Sequence, residues 1–72
     1  MNKLFEVRQN VGTVEHPTIA DTLLTAEGIR AVYPCADDLK SETWVEYVNG
    51  DKELVQQSFS IVKQSIQKAL NG

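Results

Sequence analysis

The chain has one cysteine, Cys35, and one histidine, His16. A thiol and an imidazole can act together as nucleophile and base when the fold brings them within hydrogen-bond reach. Their spacing does not predict such an approach, because Cys35 follows a predicted strand and His16 precedes Pro17 in a predicted loop. We expect a loop histidine and a small, half-buried cysteine, with a small thiol-dependent enzyme or factor as the alternative. The primary prediction is that the protein is not an enzyme.

Three carboxylates, Asp37, Asp38 and Glu42, lie close together in a polar stretch. Divalent cations need further oxygen ligands and usually a glycine-bearing loop of the D-x-D-x-D-G type, which this stretch lacks. A single cysteine also excludes an internal disulfide and C-x-x-C metal pairs. The sequence therefore predicts no metal ion and no cofactor. We expect the carboxylates to be solvated, or to form an acidic loop that docks Arg or Lys of a partner.

Trp44 and Tyr47 lie in the strongest strand pattern of the chain and must point to opposite faces of that strand. If Val45 and Tyr47 face the core, the other face is open and its tryptophan forms a binding patch. The residues predicted for that patch are Trp44, Glu46 and Val48, together with Leu4, Arg30 and Val32. The reverse register, with Trp44 in the core, stays open because a large aromatic side chain in a small domain is often buried.

The net charge of −3 is unevenly distributed along the chain. Residues 1–12 carry +1, residues 13–53 carry −6 and residues 54–72 carry +2. The acidic middle would repel phosphates, so nucleic-acid binding is disfavoured. As an alternative, a weak basic patch could be assembled from four residues, Lys3, Arg8, Lys63 and Lys68.

The 72 residues suit one small domain, 1–72, with an ordinary content of 42% hydrophobic and 24% charged residues. A domain of this size buries roughly 60% of its unfolded surface, so a homodimer is one way to gain the buried area that it lacks. The first residues lack the apolar stretch of a signal peptide, and no apolar run approaches the roughly 20 residues of a membrane span. With a free cysteine, these features favour the cytoplasm of a bacterium or of a host infected by a phage.

The C-terminal stretch carries the clearest helical pattern. The apolar positions Val55, Phe59, Val62, Ile66 and Ala69 recur at steps of four, three, four and three, which places them on one side of a helix. This spacing predicts an amphipathic helix over residues 51–70, capped by its first residue, an aspartate. Such a helix is stable only when its apolar stripe is covered.

The remaining pattern predicts strands over residues 3–11, 29–33 and 42–48, with a turn at Asn49-Gly50. Residues 18–27 favour a short helix, with Thr18 as its cap and Gly28 at its C-terminal end. The competing interpretation of this segment is a strand over residues 19–24.

The expected fold is therefore α+β, with elements in the order β-α-β-β-α and a three-stranded sheet covered on one face by two helices. We expect a non-enzymatic cytoplasmic interaction or regulatory module, encoded by a bacterium or a phage. It would bind a protein partner or a second copy through the open sheet face and the acidic loop.

Overall fold

A computed structural model describes residues 3–35 and 41–71. Within them the chain forms five strands and one helix. The elements are β1 (Leu4–Asn10), β2 (Ile19–Thr25), β3 (Ile29–Pro34), β4 (Thr43–Tyr47), β5 (Lys52–Val55) and α1 (Phe59–Asn71). The expected three-stranded sheet with two helices is wrong. The described residues instead form a two-stranded antiparallel sheet, β1-β2, and a three-stranded antiparallel sheet, β3-β4-β5.

The predicted helix over residues 51–70 is wrong in its first part, where the chain forms β5. The Asn49-Gly50 turn is present, with Gly50 at φ +97° and the Tyr47 N–H donating to the Asp51 carbonyl at 2.8 Å. Since Asn-Gly is a hairpin signal, it returns the chain as a second strand and does not start a helix. The helix begins only after Ser58, whose carbonyl accepts the first helical bond from the Val62 N–H at 3.1 Å.

The predicted helix over residues 18–27 is also wrong, and the competing strand is correct. Residues 19–25 pair with β1 along its whole length, with Phe5 opposite Leu24 and Val7 opposite Thr22. Apolar residues with steps of four also fit a strand, because four is a multiple of the strand period of two. Pairing with β1 decides between the two structures. Gly28, expected to end a helix, sits at φ +78° in the turn between β2 and β3.

The two sheets meet at a seam that we name the Arg8–Gln57 seam, formed by Arg8, Gln56, Gln57 and Thr43. The Arg8 carbonyl accepts the Gln56 N–H at 2.7 Å, and the Arg8 N–H donates to Gln57 Oε1 at 3.2 Å. Thr43 is fully buried, and its hydroxyl donates to the Gln57 carbonyl at 2.9 Å. These bonds tie the outer edge of β1 to the segment that follows β5.

One core lies between the sheets and the helix. Its buried apolar side chains come from β1, β4, β5, α1 and the β2–β3 turn, and they are Phe5, Val7, Ala26, Val45, Val55, Val62 and Ile66. Of the apolar stripe predicted for the C-terminal stretch, Val62 and Ile66 enter the core from the helix and Ala69 packs against it, whereas Val55 enters it from a strand. In residues 3–35 and 41–71 no helix combines the length and hydropathy that a membrane span requires.

The loop between β1 and β2 is closed by hydrogen bonds and by one tight contact. The side-chain oxygen of Asn10 accepts from the N–H groups of Gly12 and Thr18, both at 2.9 Å. A Cβ added at Gly12 would lie 2.4 Å from the His16 carbonyl oxygen and 2.9 Å from the Thr18 nitrogen. These two closest neighbours are backbone atoms, so rotation of a side chain would not relieve the clash.

Replacing Gly12 by alanine should therefore destabilise the fold by about 1–3 kcal/mol, the usual cost of forcing extra atoms into a filled space. Urea unfolding followed by circular dichroism measures this loss. Val14→Ala is the matched control, because Val14 lies in the same loop with 96% of its surface exposed and should change stability by less than about 0.5 kcal/mol. Equal midpoints for the two variants would show that the loop is not tightly closed.

Tyr47 ties β4 to β2 at the edge of the core. Its hydroxyl donates to the Thr25 carbonyl at 2.7 Å. Burial raises the pKa of Tyr47 above its ordinary value of 10.0, and the nearby Glu53 carboxylate raises it further. A raised folded-state pKa gives stability that is complete below the unfolded pKa and is lost as pH rises through the folded value.

Tyr47→Phe should cost about 1 kcal/mol of unfolding free energy at neutral pH, because it removes a hydrogen bond. It should also remove the part of the alkaline stability loss that begins above pH 10.0 in the wild type. Urea unfolding between pH 8 and 11 measures both effects. Tyr33→Phe removes a hydroxyl on the opposite face of the sheet and should keep that alkaline loss. An unchanged alkaline profile in Tyr47→Phe would contradict the assignment.

Candidate protein-binding surface

The outward face of the three-stranded sheet carries Trp44. Side chains alternate along β4, so the fully buried Thr43 and Val45 point inward and the half-buried Trp44 points outward. Tyr47 follows Val45 toward the core, where it packs beside the buried cluster. Of the two registers left open by the sequence, the structure has the one with tryptophan outside.

Strand register brings five further side chains to the same face. Tyr33 and Leu54 lie on either side of Trp44, on β3 and β5 respectively. In the next row Glu46 lies between Ala31 and Lys52. We name this surface the Trp44 face, and its larger residues are Tyr33, Trp44, Glu46, Lys52 and Leu54.

The apolar row and the charged row of the Trp44 face are in contact. The ammonium nitrogen of Lys52 lies 5.6 Å from the centre of the Trp44 ring, within cation–π range. The same nitrogen is 3.9 Å from a carboxylate oxygen of Glu46. An aromatic and aliphatic centre with a charged rim is the composition that protein interfaces favour.

Glu46 is the central residue of the charged rim, with a side chain only 14% exposed. It accepts hydrogen bonds from the Tyr33 hydroxyl and from the Arg30 guanidinium. Arg30 reaches it from an irregularity in β3, where the register shifts between residues 29 and 31. The Tyr33 hydrogen bond, then that of Arg30, holds the pKa of Glu46 below its ordinary value of 4.5, because both favour the charged carboxylate.

Three residues expected on this face lie elsewhere. Val48 is in the turn after β4, 71% exposed, with its N–H bonded to the Gly28 carbonyl at 2.8 Å. Val32 pairs with Val45 and packs against the core, so its predicted outward position is wrong. Leu4 is exposed, but it belongs to β1 in the other sheet.

The predicted acidic loop is described only at one end. Glu42 is half-buried directly before β4, and its carbonyl accepts the Cys35 N–H at 2.8 Å. Asp37 and Asp38 lie outside the described residues. Glu42 thus sits where β3 and β4 begin their pairing, beside the Trp44 end of the sheet.

The thiol and the imidazole lie on different elements. Cys35 is a free, half-buried cysteine directly after β3, and His16 is exposed in the β1–β2 loop. The backbone N–H of His16 donates to the Thr13 hydroxyl at 2.9 Å. Among the described residues no hydrogen bond joins the two side chains, and no group of three His, Cys, Asp or Glu is placed to hold a metal ion.

Two of the four basic residues considered for nucleic-acid binding have partners in the chain. Arg8 Nε lies 3.7 Å from a carboxylate oxygen of Asp21 on the outer face of β1-β2. Lys3 Nζ donates to the Leu70 carbonyl at 3.3 Å, near the end of α1. Lys63 and Lys68 are exposed on the helix. Two of the four cations therefore already have partners within the chain.

The sequence pattern does not place Tyr33, Lys52 and Leu54 on the candidate surface. Lys52 and Leu54 fall within the predicted helix, and the position of Tyr33 beside Trp44 depends on strand pairing. The Asn-Gly turn was the signal available, because it predicts a strand on each side of it.

The chain matches no protein-family model, no curated protein and no solved structure with which it was compared.

The pH dependence of stability in a Glu46→Gln variant tests the role of this carboxylate in the charged rim. The lowered pKa of Glu46 means that its contribution to stability is present above pH 4.5 and is lost as pH falls through the lower folded-state value. The wild type should be more stable than the variant at pH 7, and the difference should shrink as pH falls below 4.5. Thermal unfolding from pH 3 to 7 measures it.

Glu15→Gln, in the exposed β1–β2 loop, is the matched control and should follow the wild-type profile. A difference between wild type and Glu46→Gln that stays constant over the whole pH range would contradict the proposed charge network.

Proposed function

We propose that this protein is a non-enzymatic interaction module that binds a protein partner through the Trp44 face. The observation that supports the proposal best is the outward row of Tyr33, Trp44 and Leu54, on the side of the sheet opposite the core. Tryptophan, tyrosine and arginine are the residue types that most often dominate binding energy at interfaces.

The geometry around the indole also suits binding. Trp44 lies between Tyr33 and Leu54, with the Lys52 ammonium near its ring. These neighbours limit the freedom of the indole before binding, so less conformational entropy is lost when a partner side chain packs on it. Glu46 accepts hydrogen bonds from Arg30 and Tyr33, which limits the freedom of these two side chains in the same way.

We propose that the partner contributes an apolar side chain against Trp44 and Leu54. Its polar groups would then bond to the rim, where Arg30 and Lys52 keep more than half of their side-chain surface exposed, at 61% and 53%. The acidic end at Glu42 extends this surface along β4. The free Cys35 is compatible with a reducing compartment, and we propose the cytoplasm.

Trp44→Ala should weaken partner binding by about 30-fold or more, as expected when a central tryptophan is truncated. Partners captured from the native cell by the wild type are identified by mass spectrometry, purified and titrated against each variant. Because Trp44 is the single tryptophan in the chain, its own fluorescence also reports contact with the partner.

Val14→Ala removes an exposed apolar side chain from the β1–β2 loop and is the matched control, which should bind like the wild type. Circular dichroism establishes that Trp44→Ala remains folded. A purified partner that binds both variants equally would overturn the proposal. Concentration-dependent sedimentation that is abolished by Trp44→Ala would identify a second copy as the occupant.

A further inference from the structure

The backbone hydrogen bonds between β1 and β2 show which residues of each strand direct their backbone groups toward the other. At one end the Ala26 N–H donates to the Lys3 carbonyl at 2.7 Å, and at the other the Val11 N–H donates to the Thr18 carbonyl at 2.8 Å. The register between these ends is unbroken. In an antiparallel pair, every second residue pair exchanges backbone bonds. The residues of β2 that bond to β1 are therefore the even-numbered ones.

It follows that Ile19, Asp21 and Leu23 direct their N–H and C=O groups away from β1. No described strand pairs with that side of β2. Thr25 also directs its backbone groups away from β1, but its carbonyl already accepts a hydrogen bond from the Tyr47 hydroxyl. The free edge thus consists of three residues with six outward backbone groups. An edge of this kind is the usual template for an added strand.

The side chains of the free edge are apolar at its ends and acidic at its centre. Ile19 and Leu23 are 53% and 61% exposed. The Asp21 side chain between them is 64% exposed, with Arg8 as its neighbour at 3.7 Å. Natural edge strands place charge at their centre to prevent unwanted pairing.

Beside the edge, a cleft between β2 and the β4–β5 hairpin adds further acidic groups. The cleft is lined by Leu23 of β2, by Tyr47 of β4 and, on the turn and β5, by Asn49, Asp51 and Glu53. A strand added along β2 would direct alternate side chains toward this cleft. An added strand would therefore meet acidic groups in the cleft as well as at Asp21.

A second copy of this chain is a poor occupant of the edge. A two-fold pairing that uses all three free residues would place Asp21 directly opposite Asp21 of the other copy, and like charges directly opposite each other destabilise a sheet. A basic strand has the opposite effect, because it puts a cation against each carboxylate.

We propose that the free edge of β2 binds a basic extended segment of another protein by strand addition. The segment runs antiparallel to β2, with apolar side chains opposite Ile19 and Leu23 and a Lys or Arg opposite Asp21. The two residues that flank this central cation lie opposite Ala20 and Thr22, and basic side chains there add to the attraction toward the acidic cleft. The carboxylates of that cleft are Asp51 and Glu53, of which Glu53 also accepts a hydrogen bond from Gln9 Nε2 at 2.9 Å. The recognised pattern is an apolar residue, three basic residues and a second apolar residue. This site lies on a different sheet from the Trp44 face and does not depend on the function proposed for it.

The test is a titration of the ¹⁵N-labelled chain with the synthetic peptide acetyl-TVKKKVT-amide. Saturable shifts are expected at the amides of Ile19, Asp21 and Leu23, with weaker binding as salt increases. Asp21→Asn keeps the shape of the side chain and should weaken binding by about 5-fold, the effect of one cross-strand charge pair. Glu15→Gln, an acid in the adjacent loop, should bind like the wild type.

Two control peptides separate backbone pairing from simple charge attraction. A version with glutamate in place of lysine should not bind, and a version methylated at the nitrogens that face β2 should lose binding while keeping its charge. The proposal is overturned if the methylated peptide binds as well as the parent. It is also overturned if the edge amides do not shift, or if they shift with protein concentration alone, which would show that a second copy takes the edge.

Discussion

The Arg8–Gln57 seam is the constraint on which the rest of this structure depends. The two sheets share no continuous ladder, yet their buried residues form one core. At the seam, both backbone groups of Arg8 are bonded to the Gln56–Gln57 segment. Because the buried Val7 precedes Arg8 and the buried Val55 precedes Gln56, these bonds bring two core side chains together from different sheets.

The seam also explains why the helix begins late. The Gln57 carbonyl is held by the buried Thr43 hydroxyl and its side chain by Arg8, so this residue is not free to enter a helical turn. The helix therefore starts after Ser58 and lays Val62 and Ile66 over the core. A helix that began at residue 51, as the sequence pattern predicts, would remove β5 and leave the outer edge of β1 without its partner.

Much of the local structure could be predicted from the sequence, because it rests on local rules. Three strands and the Asn-Gly turn follow from β-branched and aromatic residues and from turn chemistry. Residues 19–25 could not be assigned in this way, because short apolar patterns fit both helical and strand periods. Their structure is decided by pairing with β1 across the intervening loop. For residues 52–55 the Asn-Gly turn favours a strand, whereas the apolar stripe that continues into α1 favours a helix, and pairing with β4 decides the conflict.

The candidate surface likewise combines features that follow from the sequence with features that depend on strand pairing. Alternation along β4 separates Trp44 from Val45, but it does not say which of them is buried. That choice depends on β1 and α1, which cover the Val45 side. The neighbours of Trp44 depend on register, so Tyr33 and Leu54 could be found only once the pairing of β3 and β5 was known.

The Trp44 face and the free edge of β2 offer binding groups of different kinds. The Trp44 face is centred on β4, which is paired on both sides, so its backbone is satisfied and only side chains can make new contacts there. In the two-stranded sheet β1 has a second partner at Arg8 through the seam, whereas β2 pairs only with β1 among the described strands, so its outward backbone groups remain available. Side chains select a partner by shape and backbone groups by extended conformation. The charge at Asp21 is what makes the second kind of recognition selective, because a bare edge would accept any strand, including its own copy.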